Sequence, residues 1–185
     1  MGDVPTPTPD APLAIVVMGV AGCGKSSVGR GIAEALGLPL IEGDEFHPAA
    51  NRDKMSRGIP LTDADRAPWL EALGRELAQR GGGAVLACSA LKRAYRDIFR
   101  RHRPGVRFVF LDLDRAAAAA RLAARKGHFF SPTLIDSQFA TLERPDGEPG
   151  VFGVSAVQPP NAIVAASVRW LRDSAPARTD TARPA

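Results

Sequence analysis

The residues best suited to chemistry form a glycine-rich stretch near the amino terminus. Gly19 is followed, after four residues, by Gly24, Lys25 and Ser26, and an apolar run over residues 13–18 comes directly before them. This is the phosphate-binding loop (P-loop) pattern in its expected place between a strand and a helix. The backbone N–H groups of such a loop surround a phosphate, the lysine reaches the β- and γ-phosphates, and the serine hydroxyl holds Mg²⁺. The pattern therefore predicts a nucleoside triphosphate site.

The predicted nucleotide-binding residues are Gly19, Val20, Ala21, Gly22, Cys23, Gly24, Lys25, Ser26 and Ser27. Cys23 occupies a position where the pattern accepts any residue, so it is predicted to have no chemical role of its own. The helix that the pattern requires is predicted over residues 26–36, because Gly37 is a typical residue for ending a helix.

A carboxylate follows the second apolar run. Residues 38–41 have the length and composition of a short strand, and Glu42, Gly43 and Asp44 come next. Ligands of open α/β sheets collect at the carboxyl ends of the strands, so Asp44 is predicted to lie near the P-loop. There it would orient or deprotonate a hydroxyl group, or hold Mg²⁺ through water. The alternative is a solvated turn residue or a helix cap.

Further polar side chains follow Asp44. Residues 44–57 are predicted to form a helix with His47, Asn51 and Lys54 on one face. An imidazole, an amide and an ammonium group suit a polyhydroxylated or anionic ligand, and a purely structural role is equally consistent with the pattern. Arg66 lies off the apolar stripe of the next helix, so it is either a clamp for a carboxylate or phosphate or an ordinary surface charge.

A pair of arginines marks the second half of the chain. Residues 115–126 are strongly helical in composition, and Arg121 and Arg125 share one face of that helix. A second helix is predicted to begin at Ser131, because a proline follows that serine. Two helices with a short loop at about 121–142 are typical of a lid, and arginines on a closing lid would stabilise transition-state charge. The alternative is a solvated basic face.

Strand and helix patterns alternate along the whole chain. The predicted strands cover residues 13–18, 38–41, 84–88, 106–111 and 151–157. This alternation predicts an α/β fold with a five-stranded parallel sheet, helices on both faces and right-handed crossovers. The length of 185 residues suits one domain, placed at 13–173 between tails at 1–12 and 174–185 that are predicted to be disordered.

Composition narrows the class of protein. Apolar residues make up 45% of the chain, no apolar run is long enough to span a membrane, and the two cysteines suggest a reduced, cytoplasmic location. The net charge of +4 would allow nucleic-acid binding, but the basic residues are mixed with acidic ones. The basic cluster at 100–103 lacks aromatic stacking partners, so we expect no nucleic-acid partner. Because no apolar run is long enough to span a membrane, we also expect no membrane partner.

A second carboxylate competes for the magnesium role. Asp112 follows the apolar run 106–111, which is also the pattern of a magnesium-binding carboxylate at a strand end. In this fold the third strand, which ends near Ser89, is expected to lie beside the first. The sequence therefore favours a structural role for Asp112.

Several stretches together resemble gluconokinase, a family of small P-loop sugar-acid kinases in the shikimate-kinase-like group. Beyond the P-loop they are residues 43–48, Asn51, 54–55, 58–61, Asp63, 65–66, 68–70, 88–92, 95–97, Arg121, Arg125, 128–130, 138–139 and 142–143. The P-loop is shared by many families. The His-Pro, Pro-Trp-Leu and Cys-Ser-Ala-Leu-Lys segments are far more specific, and the resemblance spans about residues 13–172.

The resemblance implies ATP-dependent phosphorylation of D-gluconate on its 6-hydroxyl, with ATP and Mg²⁺ as cofactors, and it also suggests a homodimer. It implies a substrate-binding segment at about 44–70. The implied catalytic residues are Lys25, Asp44, Arg121 and Arg125, and the implied substrate-binding residues are Asp44, His47, Asn51, Lys54, Arg66, Lys92 and His128. Two alternatives stay open: a shikimate or nucleoside monophosphate kinase of the same fold, and a nucleotide-binding switch that is not a kinase.

Overall fold

The computed structural model describes residues 12–124 and 131–174, which form an α/β fold. Its strands are β1 (Ala14–Met18), β2 (Leu40–Glu42), β3 (Ala84–Ala87), β4 (Arg107–Asp112) and β5 (Val151–Ser155). Its helices are α1 (Lys25–Leu36), α2 (Ala49–Ser56), α3 (Asp63–Gln79), α4 (Arg93–His102), α5 (Arg115–Ala123), α6 (Pro132–Thr141) and α7 (Pro160–Asp173). A short 3₁₀ turn covers Gly43–Phe46.

The five strands form one parallel sheet in the order β2-β3-β1-β4-β5. The carboxyl ends of parallel strands lie along one edge of the sheet, and β1 is the central strand. The P-loop that follows β1 therefore emerges from the middle of that edge. The predicted five-stranded parallel sheet is confirmed.

Strand β1 is buried on both faces and separates two apolar cores. Ile15 and Val17 belong to the core that packs under α1 and α7. Val16 and Met18 belong to the opposite core, which packs against α3 and α4. A strand directs successive side chains to opposite faces, so a continuous apolar run is what a central strand with helices on both sides requires.

The single helix predicted over residues 44–57 is wrong in its first part. The chain forms the 3₁₀ turn, becomes extended at His47, and begins α2 only at Ala49. Pro48 is the physical reason, because its ring disfavours helical backbone in the residue before it. His47 therefore does not share a helix face with Asn51 and Lys54.

Arg96 joins two loops that border the carboxyl edge of the sheet. Its side chain is fully buried and donates to the backbone carbonyls of Ala90, Leu91 and Glu143. It also pairs with the carboxylate of Glu148, which the neighbouring Arg100 contacts as well. Arg96 and Arg100 together lower the pKa of Glu148 from its ordinary value to about 2. The loop after β3 is thus fixed to the segment that follows α6.

We expect Arg96→Met to lower the free energy of unfolding by about 3 kcal/mol, because it removes one partner of a buried ion pair and the donor for three carbonyl groups. Urea denaturation followed by circular dichroism measures this change. Arg101→Met is the matched control on the same helix, since Arg101 is exposed and its pair with Glu71 lies at the surface. Equal losses in the two variants would contradict this account of Arg96.

Candidate active site

The P-loop has the backbone geometry of an anion-binding turn. Gly24 caps α1 with φ 97° and ψ 24°, in the left-handed region that favours glycine. A Cβ at this position would meet no atom within 4 Å, so the backbone and not packing requires glycine here. Lys25 begins α1, and the first N–H groups of a helix have no partner inside the helix. The start of α1 therefore presents backbone N–H donors and the positive end of the helix dipole.

A cleft of about 410 Å³ lies against the P-loop. Several elements contribute to its lining: Ala21, Gly22, Gly24, Lys25, Ser26 and Ser27 from the P-loop and α1, Asp44, His47, Arg66, Trp69 and Ser89 from the segments after β2 and β3 and from α3, and Ser137 and Gln138 from α6. The cleft thus brings together six of the nine predicted nucleotide-binding residues and three of the residues predicted to contact the acceptor. Gly19, Val20 and Cys23 do not line it, and Val20 and Cys23 are buried in the core.

Ser26 contacts a carboxylate that the sequence analysis did not identify. Its hydroxyl donates a hydrogen bond of 2.8 Å to Glu42 at the end of β2. A hydroxyl and a carboxylate are hard oxygen donors of the kind that Mg²⁺ prefers. The signal in the sequence was present, since Glu42 ends the strand two residues before Asp44.

Asp44 is positioned by a tightly packed turn. A Cβ on Gly43 would collide with the carbonyl oxygen of Ala87, so only glycine lets the turn lie this close to β3. Trp69 Nε1 donates a hydrogen bond of 2.8 Å to the Gly43 carbonyl oxygen, which fixes the turn to α3. The Asp44 side chain remains 87% exposed and lines the cleft. The carboxylate is therefore available to a ligand on a rigid support.

His47 lines the cleft as a neutral imidazole. Its ring is stacked on Trp69 with a centroid distance of 4.0 Å and an interplanar angle of 17°. Burial lowers the pKa of His47 below its ordinary value of 6.5, although Asp44 acts in the opposite direction. A neutral imidazole has one donor and one acceptor nitrogen, which suits hydroxyl groups better than a second negative charge.

Arg66 is a buried cation at the wall of the cleft. It is 8% exposed, and Nη1 donates to the carbonyl oxygen of Leu61 at 2.5 Å. Its guanidinium carbon lies 5.9 Å from the centroid of the Tyr95 ring. Within residues 12–124 and 131–174, no carboxylate lies within ion-pair distance of it. Since a buried charge requires a partner, this wall of the cleft suits an anionic ligand.

Three other predicted substrate contacts are engaged within the protein. Asn51 donates to the Asp65 carbonyl at 2.9 Å, and Lys54 contacts both carboxylate oxygens of Asp65 at 2.7 and 2.8 Å. Lys92 contacts Asp63 in the same manner at 2.9 and 2.7 Å. These contacts fix α2 and the start of α4 to the start of α3. A role for the three residues in substrate binding stays a prediction, since none of them lines the cleft.

The described part of the predicted lid lies beside the P-loop. Arg121 donates to the Ala156 carbonyl at 2.6 Å and to the Gly22 carbonyl at 3.4 Å. Asp136 of α6 pairs with Arg115 of α5, which holds the two helices together. The predicted residues Arg125 and His128 lie outside the described residues. Arg121 is therefore next to the P-loop, and its role in catalysis stays a prediction.

Asp112 is committed to an ion pair. Arg144 donates two hydrogen bonds to its carboxylate, at 2.8 and 2.9 Å, and lowers its pKa. Strand β1 pairs with β3, as expected, but it pairs equally with β4, so adjacency alone does not separate the two strand ends. The bidentate pair with Arg144 is the better argument for a structural role.

The basic cluster at 100–103 is largely neutralised by neighbours. Arg100 pairs with Asp97 and Glu148, and both Arg101 and His102 contact Glu71. The absence of a nucleic-acid partner stays a prediction. Among the helices of the described residues, none combines the length and the apolar character needed to cross a membrane.

Comparison with known proteins identifies relatives over most of the chain. A family model described as an AAA domain matches residues 15–145. The gluconokinase of Gluconobacter oxydans (strain 621H) is 47% identical over 161 residues, covering 85% of this chain and 90% of that protein. The thermoresistant gluconokinase of Escherichia coli (strain K12) is 39% identical over 161 residues, covering 85% of this chain and 92% of that protein.

Solved structures that resemble this chain also include a gluconokinase. The crystal structure of a gluconokinase from Sinorhizobium meliloti 1021 is 51% identical with a TM-score of 0.83, covering 89% of this chain and 94% of that chain. Shikimate kinase from Aquifex aeolicus has a TM-score of 0.63 at 16% identity, covering 88% of this chain and 98% of that chain. The second likeness shows a shared fold alone.

Proposed function

Because the chain belongs to the gluconokinase family of P-loop kinases, we propose that it transfers the γ-phosphoryl group of ATP to the 6-hydroxyl of D-gluconate, giving 6-phospho-D-gluconate and ADP. A sugar acid as the acceptor is supported above all by the buried guanidinium of Arg66, which lines the same cleft as the P-loop. A sugar acid supplies both groups that such a cleft requires, a carboxylate for the cation and a hydroxyl for the phosphoryl group.

The P-loop and Lys25 are proposed to bind the nucleotide. The N–H groups at the start of α1 surround the phosphates, and the Lys25 ammonium neutralises charge that develops on the transferring group. The protein does not need to form a covalent bond to the phosphoryl group in such a transfer, because positioning and electrostatic stabilisation account for most of the reduction in the activation barrier. Arg121, together with Arg125, is proposed to add positive charge from the lid.

Magnesium is proposed to accompany the nucleotide. The Ser26 hydroxyl and the Glu42 carboxylate, 2.8 Å apart beside the N-terminus of α1, are a donor pair that fits this ion. When bound, the ion supplies neutralisation of phosphate charge. Ser26 would hold it directly, and Glu42 would orient the Ser26 hydroxyl and add negative charge on the protein side.

The acceptor is proposed to lie between Asp44 and Arg66. Asp44 orients or deprotonates the attacking hydroxyl, and Arg66 binds the carboxylate with charge-assisted hydrogen bonds. His47, neutral and fixed on Trp69, is placed to bind a sugar hydroxyl. Asn51, Lys54, Lys92 and His128 remain proposed substrate contacts. A homodimer remains a proposal from the family resemblance, and a cytoplasmic location remains a proposal from the use of cysteine.

An acceptor panel tests this function. ADP release from ATP in the presence of Mg²⁺ is measured with D-gluconate, shikimate, AMP, D-glucose or no acceptor. We expect strong stimulation by gluconate alone. Stimulation by shikimate or AMP in its place would support a different small-molecule kinase, and ATP hydrolysis that no acceptor changes would support a nucleotide switch.

Arg66→Met tests recognition of the carboxylate. Losing hydrogen bonds between charged groups costs about 2 kcal/mol, so KM for gluconate is expected to rise about thirtyfold while ATP affinity is unchanged. For D-glucitol, which has a hydroxyl group in place of the carboxylate, the same substitution is expected to raise KM much less. Arg66→Lys, which keeps the charge, and Arg57→Met at an exposed arginine of the same segment serve as comparisons. An equal loss for gluconate and glucitol would contradict carboxylate binding by Arg66.

A further inference from the structure

A glutamine of helix α6 reaches the backbone of the P-loop. Gln138 Oε1 accepts a hydrogen bond of 2.7 Å from the N–H of Ala21, although the two residues are 117 positions apart in the chain. A backbone N–H only donates, so the carboxamide oxygen must face Ala21, and this fixes the orientation of the amide. The NH₂ group of Gln138 is thereby left to donate elsewhere.

The position of α6 is set from both ends. Its N-cap, Ser131, lies so close to Gly58 that a Cβ on that glycine would be 3.1 Å from the Ser131 side chain. Phe139 and Leu142 pack against the apolar core under α1. Gln138 is seven positions after Ser131, a rise of about 10 Å along the helix. Helix α6 therefore contacts the substrate-binding segment at its start and the P-loop near its end.

Gln138 lies on the P-loop side of the cleft. Gln138 lines the cleft together with Ala21 and Lys25, and its oxygen is anchored on the loop that Lys25 completes. Across residues 12–124 and 131–174, its Nε2 makes no hydrogen bond to a protein acceptor. A donor held on a rigid backbone and open to a phosphate-binding cleft is already oriented toward an incoming oxygen anion.

We propose that Gln138 is a further residue of the transfer site: with its carbonyl oxygen anchored on the Ala21 N–H, its NH₂ group donates a hydrogen bond to the transferring phosphoryl group. This rests on the proposed kinase function. The contact is assigned to the γ-phosphate because the N–H groups at the start of α1 are expected to serve the phosphates that ADP also carries.

Nucleotide affinity tests the proposal without any acceptor. The dissociation constants of Mg²⁺-ADP and of the Mg²⁺ complex of β,γ-imido-ATP are measured by calorimetry for wild type, Gln138→Met and Gln138→Glu. One hydrogen bond to a charged group changes a dissociation constant by about tenfold. Gln138→Met is therefore expected to bind the imido analogue about tenfold more weakly than wild type and to bind ADP within about twofold of wild type. Gln138→Glu keeps an oxygen that accepts from the Ala21 N–H but places negative charge at the γ-phosphate. Its affinity for the imido analogue is therefore expected to fall at least as much as that of Gln138→Met.

Turnover provides the second readout. With saturating gluconate and ATP, kcat of both variants is expected to fall about tenfold or more if the contact persists in the transition state. Thr133→Ala, at an exposed residue of the same helix, is the control and is expected to match wild type in every measurement. Melting temperatures exclude loss of folding, and Gln138→Glu carries the test if Gln138→Met does not fold.

Two results would overturn the proposal. Equal losses for ADP and the imido analogue would mean that Gln138 only shapes the P-loop. Unchanged affinity for both nucleotides in Gln138→Met and Gln138→Glu would mean that the cleft makes no use of the amide. Absence of gluconate turnover in wild type would instead reject the proposed function and leave the binding comparison intact.

Discussion

Replacing Lys25 with methionine is expected to lower kcat/KM for the transfer about a thousandfold, the upper range for removing one preorganised charge-stabilising donor. Lys25 lines the cleft, and its Nζ donates at 3.1 Å to the Val20 carbonyl of the same loop. This contact holds the ammonium on the P-loop, beside the cleft where the β- and γ-phosphates are proposed to lie. Methionine keeps the length and the helix propensity of lysine, so α1 and the free energy of unfolding should change little.

Steady-state kinetics with gluconate and ATP measure the effect of Lys25→Met, and thermal melting checks the fold. Arg75→Met, at an exposed cation on α3, is the control for a lost surface charge. The loss is expected to fall on kcat more than on KM, because charge on the transferring group develops toward the transition state. A variant that retains more than about a tenth of wild-type activity would contradict the role of Lys25.

Replacing Asp44 with asparagine is expected to lower kcat about a thousandfold, within the range for loss of a positioned general base. The turn that carries Asp44 is fixed by the Trp69–Gly43 hydrogen bond and by the close approach of Gly43 to β3, so the substitution leaves its support unchanged. Asparagine retains the shape and one acceptor oxygen but does not take a proton. Gluconate binding should therefore weaken much less than turnover.

Asp112→Asn is the matched control for Asp44→Asn, because both carboxylates lie at the carboxyl edge of the sheet. Arg144 occupies both oxygens of Asp112, so this variant is expected to lose stability and to keep most of its turnover. Single-turnover kinetics with saturating substrates separate the chemical step from binding. If Asp112→Asn abolished turnover and Asp44→Asn did not, the assignment of Asp44 would be wrong.

The sequence was sufficient for the fold because its signals are local. The buried strand β1, the glycines of the P-loop and the alternation of strand and helix are each read from a short window. The same holds for Asp44, whose place at the edge follows from where β2 ends. The prediction of a single helix over residues 44–57 is wrong for an equally local reason, since Pro48 disfavours helical backbone at His47.

Other features of the site depend on distant pairing and escaped prediction. Lys54 and Lys92 are predicted to bind the substrate, but Asp65 and Asp63, 11 and 29 positions away, hold them in ion pairs. Gln138 meets the P-loop across 117 positions, so no sequence window contains that contact. Arg66 differs from the two lysines because it is buried and has no carboxylate partner among residues 12–124 and 131–174, a feature that only the packed structure reveals. Its role in ligand binding stays a prediction.

The identity of the product tests the central claim most directly. The protein is incubated with ATP, Mg²⁺ and D-gluconate, and the phosphorylated product is examined by ³¹P–¹H correlation NMR. The proposed function predicts a single phosphate ester whose phosphorus couples to the two protons on carbon 6, formed in equal amount to ADP. Phosphate on another carbon, or only inorganic phosphate, would contradict it.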